Sequence, residues 1–256
     1  MIDIHCHILP GVDDGAQTIE DSIAMAKQAE SEGVRTIIAT PHHKNGAYEN
    51  VKDDIIALTN KVNQAFIKEG ISVSVLPGQE TRIYGEMLEE YENGELLTLT
   101  GNSPYLFVEF PSGYVPQYTE KLLFDLQMKG IIPVIVHPER NSEIMEQPDK
   151  LYKLVKNGAA TQVTAASLAG KFGKKIQKFT QQLIEANLTH FIASDAHNVT
   201  NRAFNMEEAM RILHKQYGND MAYYFIENAE LLAAGKHIYK EPPQRVAKKK
   251  KFLGLF

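Results

Sequence analysis

An α/β fold, with one parallel sheet closed into a (β/α) barrel, is what the sequence predicts, and three observations predict it. About seven short runs rich in valine and isoleucine alternate with longer amphipathic stretches, the rhythm of strands joined by crossover helices. The runs are nearly continuously apolar, as strands covered on both faces are. The 256 residues, 43% of them hydrophobic, suit one large domain with a sizeable core. A doubly wound open sheet is the competing arrangement.

The elements follow in order. Met1–His5 reads as the first strand. Thr18 is a good helix cap with Asp21 three residues on, and the face Ile19, Ile23, Ala26 runs to Gly33. Val34–Thr40 is a strand stopped by Pro41, and Val51–Lys68 a helix ended by Gly70. Ser72–Leu76, Tyr105–Phe110 and Ile131–Val136 are strands, stopped by Pro77, Pro111 and Pro138. Thr119–Lys129, Leu151–Lys156 and Lys174–Ala186 are helical, with a weaker strand at Ala159–Val163 and another at Phe191–Ala193. Helices around Asn205–Lys215 and Ala229–Ala234 close the domain. The domain is expected over 1–240. Glu241-Pro242-Pro243 then opens a flexible tail, 241–256, that ends in KKKKFLGLF.

Composition narrows the class. A formal net charge of −5 argues against nucleic acid as a partner. The single cysteine, Cys6, excludes an internal disulfide and fits a reducing compartment. No apolar run approaches the ~18–20 residues of a membrane span, and no signal-peptide pattern precedes His5. A cytoplasmic globular protein is expected.

Function is written at the strand ends. His5 and His7 end the first strand and His42-His43 follow the second. Glu80 follows the third, Glu109 lies in the fourth, His137 ends the fifth, and Asp195 and His197 follow the last. In a parallel barrel these ends converge on one face. Imidazoles and carboxylates without thiolate suit Mn, Fe, Co, Ni or Zn. Residues i and i+2 share a strand face, so His5 and His7 can hold one ion together. With so many donors a multi-ion site is expected, able to bridge a hydroxide. His190, His214 and His237 fall outside the pattern and are expected to be structural or surface groups. His43 is expected behind the ligands. Alternation turns Cys6 into packing, and position 12, a valine, lacks the arginine of a cysteine phosphatase loop. Asp3 shares the parity of the histidines and either orients an imidazole or fills a barrel layer.

Together DIHCHILPGVDDG, TPHH, GQE, EFP, HPER and SDAH resemble the PHP (polymerase and histidinol phosphatase) superfamily. Within it the chain is similar to the CpsB-type manganese-dependent protein-tyrosine phosphatases of capsule and exopolysaccharide operons. The resemblance covers residues 1 to roughly 240. It implies a distorted (β/α)7 TIM-like barrel and three divalent ions, manganese first. It implies one ion on His5, His7, Glu80 and Asp195, with Glu80 bridging to a second completed by Glu109 and His137. A third would sit on Asp14, His42 and His197, with Asp13 the fallback for Asp14. It implies phosphotyrosine proteins as substrates, among them a membrane-associated tyrosine kinase.

Phosphoryl oxygens need fixed cationic donors. Arg140, three residues past His137, and Arg202, five past His197, are assigned to phosphate; Arg82 is a weaker candidate. Lys248, Lys249, Lys250 and Lys251 could give weak contact with anionic lipid, at ~1 kcal/mol per lysine. Three other readings compete. A histidinol or other small phosphomonoester phosphatase keeps the ions. A metal amidohydrolase is disfavoured by Glu109, where that class carries a carboxylated lysine. A nuclease-like domain is disfavoured by the acidic charge.

Overall fold

The computed structural model describes residues 1–247; the lysines considered for lipid contact, Lys248 to Lys251, lie outside the described residues. The order is β1 (Ile2–Cys6), α1 (Ile19–Ser31), β2 (Thr36–Ala39), β3 (His42–His43), α2 (Lys52–Lys68), β4 (Ser74–Pro77), β5 (Glu80–Arg82), α3 (Met87–Glu92), β6 (Tyr105–Glu109) and α4 (Thr119–Met128). Then come β7 (Ile132–Val136), α5 (Ser142–Glu146), α6 (Asp149–Lys156), β8 (Ala160–Thr164), α7 (Ala165–Leu168), α8 (Lys174–Glu185), β9 (Phe191–Ala193), α9 (Met206–Tyr217) and α10 (Asn219–Ala233).

Every strand pair is parallel. The strands form two sheets, β1-β2-β4 and β3-β5-β6-β7-β8-β9. The sheets are parts of one ring. On one side β3 resumes the path of β2 beyond Pro41, and β5 resumes that of β4 beyond Gly78. On the other, Cys6 and Ala196 form a parallel bridge, where His7 N–H donates to the Ala196 carbonyl (2.9 Å) and Asp195 N–H to that of His5 (2.8 Å). With each broken strand taken as one, seven strands follow in chain order round the ring.

The breaks explain where sequence and structure differ. Proline removes one ladder donor, not the whole strand. The strand expected to end at Pro41 therefore restarts at His42, paired with Glu80. At the second break the chain passes so close to β2 that a Cβ on Gly78 would meet Ile38 Cγ2 at 2.8 Å. α10 is far longer than the expected Ala229–Ala234, because the aromatic run Tyr223-Tyr224-Phe225 hides its helical face.

Inside the ring Ile4, Ile38, Phe107, Val134, Val136 and Phe191 pack as one cluster. Each such side chain contributes about 1.5–3 kcal/mol on burial. Ala229 and Leu232 of α10 belong to the same cluster and close the end where the strands begin. There Tyr105 Oη donates to the Lys236 carbonyl at 2.7 Å. A larger apolar layer lies between strands and helices, and Cys6 is buried in it. α1 starts as expected: Asp21 N–H donates to Thr18 Oγ1 (3.2 Å) and Thr18 N–H to Asp21 Oδ2 (3.0 Å). Beyond the helices Gln244 N–H donates to the Ala186 carbonyl, and Arg245 pairs with Asp149 and stacks on Tyr152.

Candidate metal centre

The chain must turn sharply where strands end at the open mouth. Lys44, His137 and Asp195 do so with positive φ of 55°, 35° and 52°. Left-handed backbone at non-glycine residues costs on the order of 1–3 kcal/mol each and persists only where neighbours impose it. His137 N–H is held by the Gln162 carbonyl at 2.7 Å, and Asp195 N–H by His5.

Three groups of donors gather there, each with its ligand atoms within 4.8 Å: His5, His7 and Glu80; His42, Glu80 and Glu109; and His7, Asp14, His42 and His197. The two other residues expected as ligands adjoin them. Asp195 Oδ1 lies 3.5 and 3.4 Å from Nε2 of His5 and His7. His137 Nε2 lies 2.8 Å from Glu80 Oε1. His5, His7 and Glu80 are fully or almost fully buried.

Hydrogen bonds behind the rings aim their other nitrogens inward. His5 Nδ1 bonds Gln162 Oε1 (2.9 Å), His7 Nδ1 bonds Asp13 Oδ2 (2.7 Å), and His197 Nδ1 bonds the Asp195 carbonyl (3.0 Å). The VDDG turn thus divides its two carboxylates. Asp13 faces away from the donor groups, also accepting from Gly15 N–H and His42 N–H. Asp14 Oδ1 faces His42 Nε2 (3.4 Å) and His197 Nε2 (3.3 Å). Gly15 makes the turn possible, since a Cβ there would lie 2.1 Å from the His7 carbonyl oxygen.

What converges is a set of ring nitrogens and carboxylate oxygens, and against the effect of burial Glu80 and Asp14 raise His42 to about 9. Glu80 Oε2, His42 Nδ1 and His197 Nε2 are buried without hydrogen-bond partners. Glu80 Oε2 lies 2.9, 3.3 and 3.4 Å from ring nitrogens of His42, His7 and His5. Orphaned buried acceptors are costly, and oxygen and nitrogen donors without thiolate fit divalent cations. The charge balance agrees. Burial opposes ionisation of Glu80 and Asp195. His5 and His42 nevertheless hold Glu80 well below the carboxylate range, and Arg140 and His5 do so for Asp195. Burial, with Glu80 beside it, pushes Glu109 up to about 7. Burial, aided by Arg140, lowers His137 to about 4.

Both expected phosphate-binding arginines are at the mouth. Arg140 Nη2 pairs with Asp195 Oδ2 at 2.7 Å, and its guanidinium stacks on Phe172. Arg202 pairs with Asp14 Oδ2 (3.2 Å) and Asp195 Oδ2 (3.4 Å). Each aspartate therefore turns Oδ1 to the imidazoles and Oδ2 to an arginine. Buried Glu139 fixes the turn before Arg140 by accepting from Thr164 N–H and Ser167 Oγ. Both arginines line a cleft of about 440 Å³ with Glu109, Phe110, Pro138 and Ser112.

Other residues stand behind the donors or away from them. Arg82 holds Glu109 with two bonds, of 2.8 and 3.0 Å. His43 is buried on the opposite strand face, beside Lys44 and Glu90 and away from the ligands it was expected to support. Asp3 orients no imidazole. A register shift between Asp3 and Cys6 gives the inner layer to Ile4, while Asp3 accepts from Ser194 N–H and Oγ. His190 hydrogen-bonds Thr161 N–H at the base, His214 bonds Asn219, and His237 is exposed. Sequence reasoning missed Gln162 and Phe172, which no motif marks. Among the described residues no helix is long and apolar enough to cross a membrane.

Comparison with known proteins gives a consistent picture. The family described as capsular polysaccharide synthesis, CpsB/CapC, matches residues 1–233. The chain is 52% identical over 256 residues to the tyrosine-protein phosphatase YwqE of Bacillus subtilis (strain 168), covering 100% of both. It is 42% identical over 264 residues to a putative tyrosine-protein phosphatase CapC of Staphylococcus aureus, again covering 100% of both. A crystal structure reported for YwqE from Bacillus subtilis and CpsB from Streptococcus pneumoniae, "unique metal-dependent tyrosine phosphatases", superposes with a TM-score of 0.95. That match has 52% identity and covers 97% of this chain and 100% of the other.

Proposed function

The chain belongs to the CpsB/CapC family of capsular polysaccharide synthesis, and from that premise we propose that it is a metal-dependent protein-tyrosine phosphatase. One observation carries the reading: four of the donor residues, His42, Glu109, His137 and Asp195, line the same cleft as two arginines held by the outer oxygens of Asp14 and Asp195. The catalytic unit is residues 1–240. The ligands are His5, His7, Asp14, His42, Glu80, Glu109, His137, Asp195 and His197, for three divalent ions. Manganese is our first choice, and iron, cobalt, nickel or zinc suit the same donors. Bound ions would supply an acidified water as nucleophile and take up charge on the phosphoryl group.

The protein's own groups do the rest. A guanidinium has five N–H donors, so Arg140 and Arg202 can hold their aspartates and still bind phosphoryl oxygens. That binding fixes phosphorus for in-line attack and matches charge developing on its equatorial oxygens. Phe110, Val136 and Pro138 give the cleft an apolar side against which an aryl ring can lie. A phenolate, with a parent pKa of ~10, leaves with less protonation than an alkoxide needs. The substrates are phosphotyrosine proteins, including a membrane-associated bacterial tyrosine kinase of capsule or exopolysaccharide control, reached from the cytoplasm.

The test compares a phosphotyrosine peptide, a phosphoserine peptide and histidinol phosphate, before and after chelation. Phosphotyrosine turnover should dominate, vanish on chelation and return with Mn²⁺. Full activity in protein shown metal-free by elemental analysis would overturn the metal reading. Preferential turnover of histidinol phosphate would overturn the substrate.

A further inference from the structure

Asp14 differs from the rest of the donor set in exposure. Its side chain is 45% exposed, against 12% for His42 and His137, 9% for Glu109 and 3% or less for Glu80 and Asp195. It is exposed because it lines a cleft of its own, and Arg202 stands between that cleft and the arginine-lined one. On one side is the arginine-lined cleft already described, with Arg202 packed on Asp14 Oδ2. On the other is a separate cleft of about 540 Å³ between the VDDG turn, α1 and the loop after β9. Its walls carry Asp13, Asp14 and Asp21, and among the described residues lining it there is no lysine or arginine.

A second observation points the same way. His197 lines this cleft, is 1% exposed, and spends Nδ1 on the Asp195 carbonyl. Its Nε2 has no hydrogen-bond partner and lies 3.3 Å from Asp14 Oδ1. The cleft therefore ends on an imidazole nitrogen without a hydrogen-bond partner and a carboxylate, at the back of an acidic passage. Low-dielectric walls of one sign concentrate the opposite ion and speed its association. The other cleft is mixed in charge, with Arg140 and Arg202 standing beside Asp195 and Glu109.

We propose that the second cleft is the loading port for a hydrated divalent cation, delivering it to the group His7, Asp14, His42 and His197, while phosphate and substrate use the arginine-lined cleft. The inference rests on the metal-dependent reading above. The ion of this group is then the exchangeable one, and the ions at His5, Glu80 and Glu109 are retained behind it.

Ala24, exposed on α1 and lining this cleft, allows a test that leaves every ligand in place. Helices accept Lys and Glu at such positions. Metal-free wild type, Ala24→Lys and Ala24→Glu would be mixed with Co²⁺ at low salt and followed by visible absorption. One loading phase should slow on the order of three- to fivefold with lysine and quicken similarly with glutamate. Both effects should fade at high salt, and inhibition of the loaded enzymes by inorganic phosphate should stay the same. Chelator should strip one ion well ahead of the others. Equal loading rates in all three proteins, or simultaneous loss of all ions, would overturn the port. Absence of any bound Co²⁺ in wild type would overturn the metal reading itself.

Discussion

The base and the mouth of this barrel are two ends of the same strands, built on opposite rules. At the base Ile4, Tyr105, Phe191 and Leu232 interlock, and the buried imidazole there, His190, is held neutral. At the mouth, one to four residues further along each strand, carboxylates, imidazoles and guanidinium groups crowd together with buried polar atoms unpaired. The base gains stability from packing. The mouth accepts left-handed backbone at His137 and Asp195 and strong desolvation to keep its donors aimed. Stability and chemistry are thus separated along the strand axis, so each can be damaged alone.

The largest expected effect is at the mouth. His7 belongs to two of the three donor groups, so His7→Ala should lower phosphotyrosine kcat by at least about a thousandfold, roughly 4 kcal/mol in barrier, and reduce bound metal by elemental analysis. Next comes a mutation at the base. Phe191→Ala should cost about 3–5 kcal/mol in urea denaturation while the folded fraction keeps its kcat. A large kcat loss there would erase the separation.

Arg140→Ala should cost about 2–3 kcal/mol in barrier, the scale of one preorganised donor, with metal content intact. Unchanged kcat and KM would remove Arg140 from the site.

An effect that is absent at neutral pH and grows only on acidification concerns His190. Burial, with Lys240 nearby, lowers it to about 3, below the 6.5 of a free imidazole. Below pH 6.5 the folded state therefore binds fewer protons than the unfolded one. Stability is lost as pH falls from about 6.5 toward about 3, by at most ~1.4 kcal/mol per unit. His190→Gln should flatten that part of the pH–stability curve relative to wild type. Parallel curves would place His190 outside this balance.

The mouth was more legible in the sequence than the base. His42, His137 and Asp195 stand beside strand-stopping prolines or follow short apolar runs, so their convergence follows from parallel strands alone. Hydrogen-bond partners were not legible. Gln162 is an ordinary polar residue in the middle of ATQVT and matters only because β8 runs past His5. The roles of Asp13 and Asp14 depend on a backbone turn that neither residue type dictates. Asp3 defeated alternation because the register shifts within β1. β3 and β5 were hidden by Pro41 and Pro77, which interrupt a ladder without ending it.

The seam between β1 and β9 also sets a schedule. His5 and His7 emerge some 190 residues ahead of their carboxylate neighbour Asp195 and the loop carrying His197. During synthesis, a ribosome-bound chain that stops short of β9 lacks the residues that close the ring and complete the donor groups. Full metal capture is therefore a property of a chain that extends past β9. A nascent chain shows cations only scattered histidines and carboxylates, and the enzyme acquires its reactive centre at the moment its first strand finds its last.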